Sequence, residues 1–180
     1  LHPYIEDVIA WQPDVVINVG CAEGYYSTGL AKRLPSALVV AYDMDPKAQE
    51  ACKEACHING IELEIRGFCT ASELRERTET AARPFMFIDC EGGERQLLLT
   101  DDYRFPNAKM IVECHDFVDR DITFALLAKF SNTHEISKIP QGGRDPFSHT
   151  SLSGLSNDDR WGLVSERRPE TMHWLFMAPK

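Results

Sequence analysis

No stretch of this chain reaches the roughly 18 consecutive apolar residues of a membrane-spanning helix, and no basic-then-apolar leader opens it. A membrane is therefore not an expected partner. Positive charge is scarce as well: 19 Lys and Arg stand against 28 Asp and Glu, for a formal net charge of -9 and a pI near 5.1. A nucleic-acid backbone requires a basic footprint, so nucleic acid is not expected as the main partner. The chain also lacks the G-x-G-x-x-G triplet of dinucleotide sites, and no tyrosine has a lysine four residues later. Internal repeats and low-complexity tracts are missing. Cys52 and Cys56 sit one helical turn apart beside His57, but no second Cys/His pair completes a metal set. All six cysteines, at 21, 52, 56, 69, 90 and 114, fall in or at the end of apolar patterns, which fits reduced, buried thiols and a cytoplasmic protein.

What the chain does have is enough apolar material for one core: 43% of 180 residues, read as a single domain spanning 1–180. Strand-like and helix-like segments alternate, the mark of βαβ units and a parallel sheet. Strands are predicted at 15–19, 37–43, 62–67, 85–89, 109–114, 133–139 and 172–178, the last antiparallel and beside its predecessor. The helix after the second strand is well punctuated, with Asp45 as N-cap, Pro46 at the first position and Asn59-Gly60 at its end. From 140 to 170 the periodicity vanishes, which predicts a long loop acting as a substrate lid, with a short helix around Trp161.

The most informative stretch is Val15-Val16-Ile17-Asn18-Val19-Gly20-Cys21-Ala22-Glu23-Gly24-Tyr25-Tyr26, an apolar strand that breaks into a glycine turn and then a helix. Such a turn lets a ligand approach the backbone beside unpaired helix amides. Asp43 ends the next strand about 20 residues on, where a ribose-binding acid is required. Two adenosine ligands fit this pairing, a dinucleotide and S-adenosylmethionine (SAM). The spacing Gly20-x-x-x-Gly24, with Glu23 inside to repel phosphate, favours SAM and leaves an NAD-dependent oxidoreductase as the weaker alternative.

At this point the chain resembles the class I SAM-dependent methyltransferases, and within them the FkbM-type group. The resemblance covers 13–130 and the last strand. It rests on Val16 to Ser27, on Ala41-Tyr42-Asp43-Met44-Asp45-Pro46, on Phe87-Ile88-Asp89-Cys90-Glu91-Gly92-Gly93-Glu94 and on Ile111-Val112-Glu113-Cys114-His115. The third block is the one specific to the FkbM group. The resemblance implies a doubly wound seven-stranded sheet of order 3-2-1-4-5-7-6 and transfer of a methyl group from SAM to a small-molecule or sugar-type hydroxyl. Gly20, Cys21 and Gly24 would line the methionine and ribose part, Asn18 would lie near the cofactor's amino group, Asp43 would bind the ribose hydroxyls, Met44, Thr70 and Ala71 would lie by adenine, and Asp89 would also contact the cofactor. Asn18 and Cys69 replace acids that the family usually carries. A non-catalytic module that keeps the methyltransferase fold is the competing reading.

In an open α/β sheet the ligand lies beyond the carboxyl ends of the strands. Asp89, Glu91 and Glu94 follow the fourth strand and Glu113, His115 and Asp116 the fifth, so they are expected on one rim. His115 is the general-base candidate because its ordinary pKa lies near neutrality, with Glu91 second. Glu94 is equally a candidate helix cap. By similarity to catechol-type O-methyltransferases, Asp89, His115 and Asp116 are candidate ligands for Mg or Mn. His149 and the loop arginines Arg144, Arg160, Arg167 and Arg168 are candidates for contact with an acidic acceptor, against the plainer reading of a solvated surface.

Overall fold

The computed structural model describes residues 1–165 and 169–180. Arg167 and Arg168 lie outside the described residues. The sheet holds β1 (Val15–Val19), β2 (Leu38–Tyr42), β3 (Glu64–Arg66), β4 (Pro84–Ile88), β5 (Lys109–Cys114), β6 (His134–Pro140) and β7 (His173–Pro179). Their spatial order is β3-β2-β1-β4-β5-β7-β6, as the resemblance implied. The first five run parallel, and β7 is antiparallel to both β5 and β6. β4 is buried along its whole length, as expected for a central parallel strand covered on both faces. β3 is shorter than predicted because it is an edge strand and pairs only over three residues of β2.

Side chains alternate between two apolar layers. Ile17, Val19, Met86, Ile88, Met110 and Val112 face one layer, and Val16, Phe85, Phe87 and Ile111 the other. Helices α2 (Tyr25–Arg33), α3 (Pro46–Asn59), α4 (Ala71–Glu79), α5 (Glu94–Leu98) and α6 (Ile122–Phe130) connect the strands. α3 is capped as its sequence dictates: Asp45 Oδ1 accepts from the Lys47 amide at 2.9 Å, and Gly60 closes the helix at φ 63°.

Two elements escape a search for strands. α1 (His2–Trp11) precedes β1 and packs Tyr4, Ile5, Val8 and Ile9 on the second layer. The 140–170 segment is not one structureless loop. It holds two single 3-10 turns, 146–148 and 150–152, and α7 (Asn157–Val164), whose N-cap Ser156 accepts from the Asp159 amide. The helix around Trp161 exists, but Trp161 meets Phe147 of the same segment edge-on and stays half exposed. Arg160 donates to the Leu155 and Ser153 carbonyls, so it ties the segment to itself.

Candidate functional site

The glycine turn is held by β2. The amides of Gly20 and Cys21 both donate to the Tyr42 carbonyl, at 2.8 and 2.9 Å. Gly20 sits at φ +80°, and a Cβ added there would stand 1.6 Å from the Asp89 carbonyl oxygen. The glycine thus lets the ends of β1 and β4 close on each other. Asp43 staples the turn to α3, since its Oδ2 accepts from the Ala22 amide and its Oδ1 from the Asp45 amide, each at 2.9 Å. Above this staple lies a cleft of about 620 Å³, a size common among small-molecule sites.

Gly20, Asp43, Met44, Thr70, Ala71 and Asp89 all lie on the walls of that cleft, and so does Glu91. Asn18, Cys21 and Gly24 do not. Cys21 is buried in a small cluster with Cys52 and Cys56, its thiol donating to the Ala22 carbonyl, and a Cβ on Gly24 would meet the Cys52 sulfur at 2.6 Å. These two positions therefore seat α2 against α3 rather than forming a ligand wall. Asn18 is buried between Ala41 and Phe87 in the sheet and donates Nδ2 to the Ser27 hydroxyl at 2.7 Å. Its Oδ1 has no hydrogen-bond partner among the described residues, leaving a buried acceptor below the turn.

Phe68 is a wall residue that the sequence did not single out. Phe68 is 64% exposed and lies with Met44, 70% exposed, along the cleft. Large apolar side chains left in water at a cleft suit the face of a planar base. The detectable signal was an aromatic between Gly67 and Cys69 just after the edge strand. Cys69 itself is a buried thiol whose pKa burial pushes up to about 12, so it is a neutral weak donor.

At the other end of the cleft, carboxylates gather around His115. The ring is fully buried, with Nδ1 at 2.6 Å from Glu94 Oε1. Nε2 faces Glu91 Oε2 at 3.2 Å and Asp89 Oδ1 at 3.6 Å. Burial opposes the charged imidazolium, but Glu94, Glu91 and Asp89 together outweigh it and raise the His115 pKa above its ordinary value. Glu94 is buried and its Oε1 also accepts from the Gly92 amide, so it is the partner of His115 more than a helix cap.

Asp116 is not part of this cluster. Its carboxylate accepts from the Thr123 amide and hydroxyl, at 3.3 and 2.7 Å, and lies 3.6 Å from His173. The chain turns sharply after β5, so neighbours in sequence point to opposite sides. Among the described residues, Asp89, Glu91 and His115 are the group whose ligand atoms converge within 4.8 Å.

A second cavity of about 400 Å³ opens on the far side of Asp89, with Tyr26, Glu113, Arg144 and Trp174 in its walls. Asp89 lines both cavities. Burial, then the charges of Tyr25, Asp89 and Glu113, push the Tyr26 phenol above its usual pKa against an opposing Arg144. Of the loop candidates, Arg144 reaches this cavity, while His149 is exposed on the outer segment.

No family model matches the chain, and no curated protein is significantly similar to it. Solved structures are. An O-methyltransferase from Bacillus cereus in complex with SAH superimposes with a TM-score of 0.59 at 12% identity, over 98% of this chain and 79% of the other. The O-methyltransferase TomG of tomaymycin synthesis in Streptomyces achromogenes, in complex with SAM, gives 0.55 at 12%, over 99% and 78%. An rRNA methylase from Streptococcus thermophilus gives 0.59 at 9%, over 97% and 93%. The chain has the Rossmann-like methyltransferase fold. Within that fold, the cleft over Gly20 and Asp43 lies beyond the carboxyl ends of the strands, where β1 and β2 diverge from β4, the position an open α/β sheet reserves for its ligand.

Proposed function

We propose that this chain is a SAM-dependent methyltransferase that acts on a hydroxyl of a small molecule. The observation that carries the reading is Asp89, a carboxylate in the wall between two adjoining cavities, one suited to an adenosine ligand and one polar. The residues present fit SAM. Met44 and Phe68 offer apolar faces for adenine, Asp43 stands where ribose hydroxyls need an acceptor, and the orphaned Asn18 Oδ1 is a buried acceptor below the turn. When bound, SAM supplies a methyl group on a positively charged sulfur.

The work left to the protein is alignment and removal of one proton. Asp89 and Glu91 both front the cleft, and Glu91 has its side chain largely in solvent. They are the groups within reach of an acceptor hydroxyl. His115 is fully buried and lines neither cavity, so it acts as a positioning residue that holds the two carboxylates. This reassigns the base role from His115 to Glu91 and Asp89.

Several features support a small acceptor over RNA. The walls of the second cavity carry Asp89 and Glu113, and the chain is strongly acidic. The Asp89-Cys90-Glu91-Gly92-Gly93-Glu94 block supports oxygen as the accepting atom through its FkbM-type resemblance.

The reading is tested by incubating the protein with methyl-labelled SAM and a metabolite extract, a total-RNA preparation or a protein lysate. Label is expected in material that passes an ultrafilter retaining RNA and protein. Glu113→Gln and Tyr26→Phe are expected to lower that incorporation by ~10-fold or more while changing SAH (S-adenosylhomocysteine) affinity less than ~3-fold, because they touch the acceptor cavity alone. Label retained with RNA or protein contradicts the small-molecule reading. SAH binding with no label anywhere favours the non-catalytic module.

A further inference from the structure

We infer that Cys21 and Cys52 are a redox pair: a hydroperoxide joins their sulfurs in a reversible disulfide that draws the glycine turn toward α3 and weakens ligand binding in the cleft. The weakened binding rests on the SAM reading of the cleft; the disulfide does not. Cys21, Cys52 and Cys56 pack with Ala41 in a buried cluster of their own, and all three are free thiols. Cys52 sits on α3 against the turn, since a Cβ on Gly24 would fall 2.6 Å from its sulfur. Cys21 sits on the turn itself, between Gly20 and Ala22, both of which wall the cleft. Cys56 lies one helical turn beyond Cys52, its sulfur 3.8 Å from Thr28 Oγ1 of α2, and is the bystander.

The two thiols are not equivalent. Cys21 favours the Cys52 thiolate enough to outweigh burial, with Cys56 helping and Asp43 and Glu23 opposing, so the Cys52 pKa falls to about 7. Cys21 moves the other way, held protonated by Cys52 and by burial. A thiolate is the form that attacks peroxide. The Cys52 sulfur takes one peroxide oxygen, the O–O bond breaks, and hydroxide leaves as water with the proton that Cys52 gave up. The Cys21 sulfur then attacks the Cys52 sulfenic acid, the S–O bond breaks, and hydroxide leaves with the Cys21 proton as a second water. Two thiols lose two electrons and one peroxide gains them. Burial of both sulfurs favours this small neutral oxidant over bulky disulfides.

The turn yields before the helix does. α3 is fixed by its Asp45 cap and Gly60 stop, whereas Ala22 is held at φ 46°, a left-handed conformation that alanine keeps only under constraint. That constraint is the bond from its amide to Asp43 Oδ2. A disulfide requires two sulfurs well inside their non-bonded contact, and Gly24 already lies as close to Cys52 as a missing side chain allows. The pull therefore falls on Cys21 and Ala22, and it loads the Asp43 staple that shapes the cleft wall. Reduction lets the turn return.

The experiment treats the reduced full chain with hydrogen peroxide, maps its cysteines by mass spectrometry, and titrates SAH before oxidation, after it, and after dithiothreitol. Trypsin cuts after Lys32, Lys47 and Lys53, so a Cys21–Cys52 link joins 1–32 to 48–53 and is distinct from any link to Cys56. That link is expected, with SAH affinity lowered by at least ~10-fold and restored by dithiothreitol. Cys52→Ser and, on the other side of the bond, Cys21→Ser are each expected to keep under peroxide the affinity they have when reduced. Cys56→Ser is expected to respond as the unaltered protein does. Peroxide-treated protein without this link overturns the pair. Unchanged SAH affinity in the linked protein overturns the switch, as does an equal loss of affinity in the Cys52→Ser and Cys21→Ser proteins. Protein that forms the link but binds no SAH even when reduced defeats the cofactor reading and leaves the pair standing.

Discussion

Gly20→Ala is expected to destabilise the protein by about 2–6 kcal/mol and to remove measurable SAH binding. Two costs add. A non-glycine residue at φ +80° carries roughly 1–3 kcal/mol of backbone strain. A Cβ placed 1.6 Å from the Asp89 carbonyl oxygen cannot be accommodated by a side-chain rotation, because the obstacle is backbone. Pushing β1 and β4 apart is overpacking, typically another 1–3 kcal/mol. The displacement falls on both walls of the cleft at once, so binding is lost with stability. Urea unfolding measures the first effect as a lower midpoint at unchanged slope. Gly29→Ala is the internal control: it lies in the middle of α2 with nothing within 4 Å of the added Cβ, and is expected to be neutral or stabilising by up to ~1 kcal/mol.

Glu94→Ala should cost about 3–5 kcal/mol, the usual penalty for removing one partner of a buried ion pair. Glu94 and His115 are both fully buried, and no water-exposed rearrangement can replace the 2.6 Å contact. The Gly92 amide loses its acceptor too, which loosens the loop that positions Glu91. Glu94→Gln keeps an acceptor for Nδ1–H and is expected to lose less, about 1–3 kcal/mol. Thermal or urea unfolding of the two variants checks the order. Equal stability of Glu94→Ala and the unaltered protein would contradict the role given to this carboxylate. The buried Glu94 Oε2 has no hydrogen-bond partner among the described residues, so stability alone does not account for an acid at this position.

Much of this was legible in the sequence because local rules and the global fold agree there. Alternation of apolar runs with helical spacing, the Asp45-Pro46 start and Gly60 stop of α3, and the glycine turn followed by Asp43 each reflect short-range chemistry. The strand order came from resemblance, since nothing in periodicity tells β7 to insert between β5 and β6. What failed was direction. His115 and Asp116 are adjacent, yet one turns to Glu94 and the other to Thr123, a choice made by packing against α5 and α6. Gly24 looked like a ligand wall and is a helix-packing position, because its neighbour Cys52 lies 28 residues on. The outer segment had readable caps at Asp145 and Ser156, and its loss of apolar periodicity masked them.

The most direct measurement is isothermal titration of the protein with SAH, beside Asp43→Ala. Asp43 holds the Ala22 and Asp45 amides and stands at the ribose position, so the account predicts one site of micromolar affinity that weakens by about 10–100-fold in the variant, a loss of ~1.4–2.8 kcal/mol. No binding heat and no rise in melting temperature at millimolar SAH, or unchanged affinity in a folded Asp43→Ala protein, would contradict the assignment of this cleft to SAM.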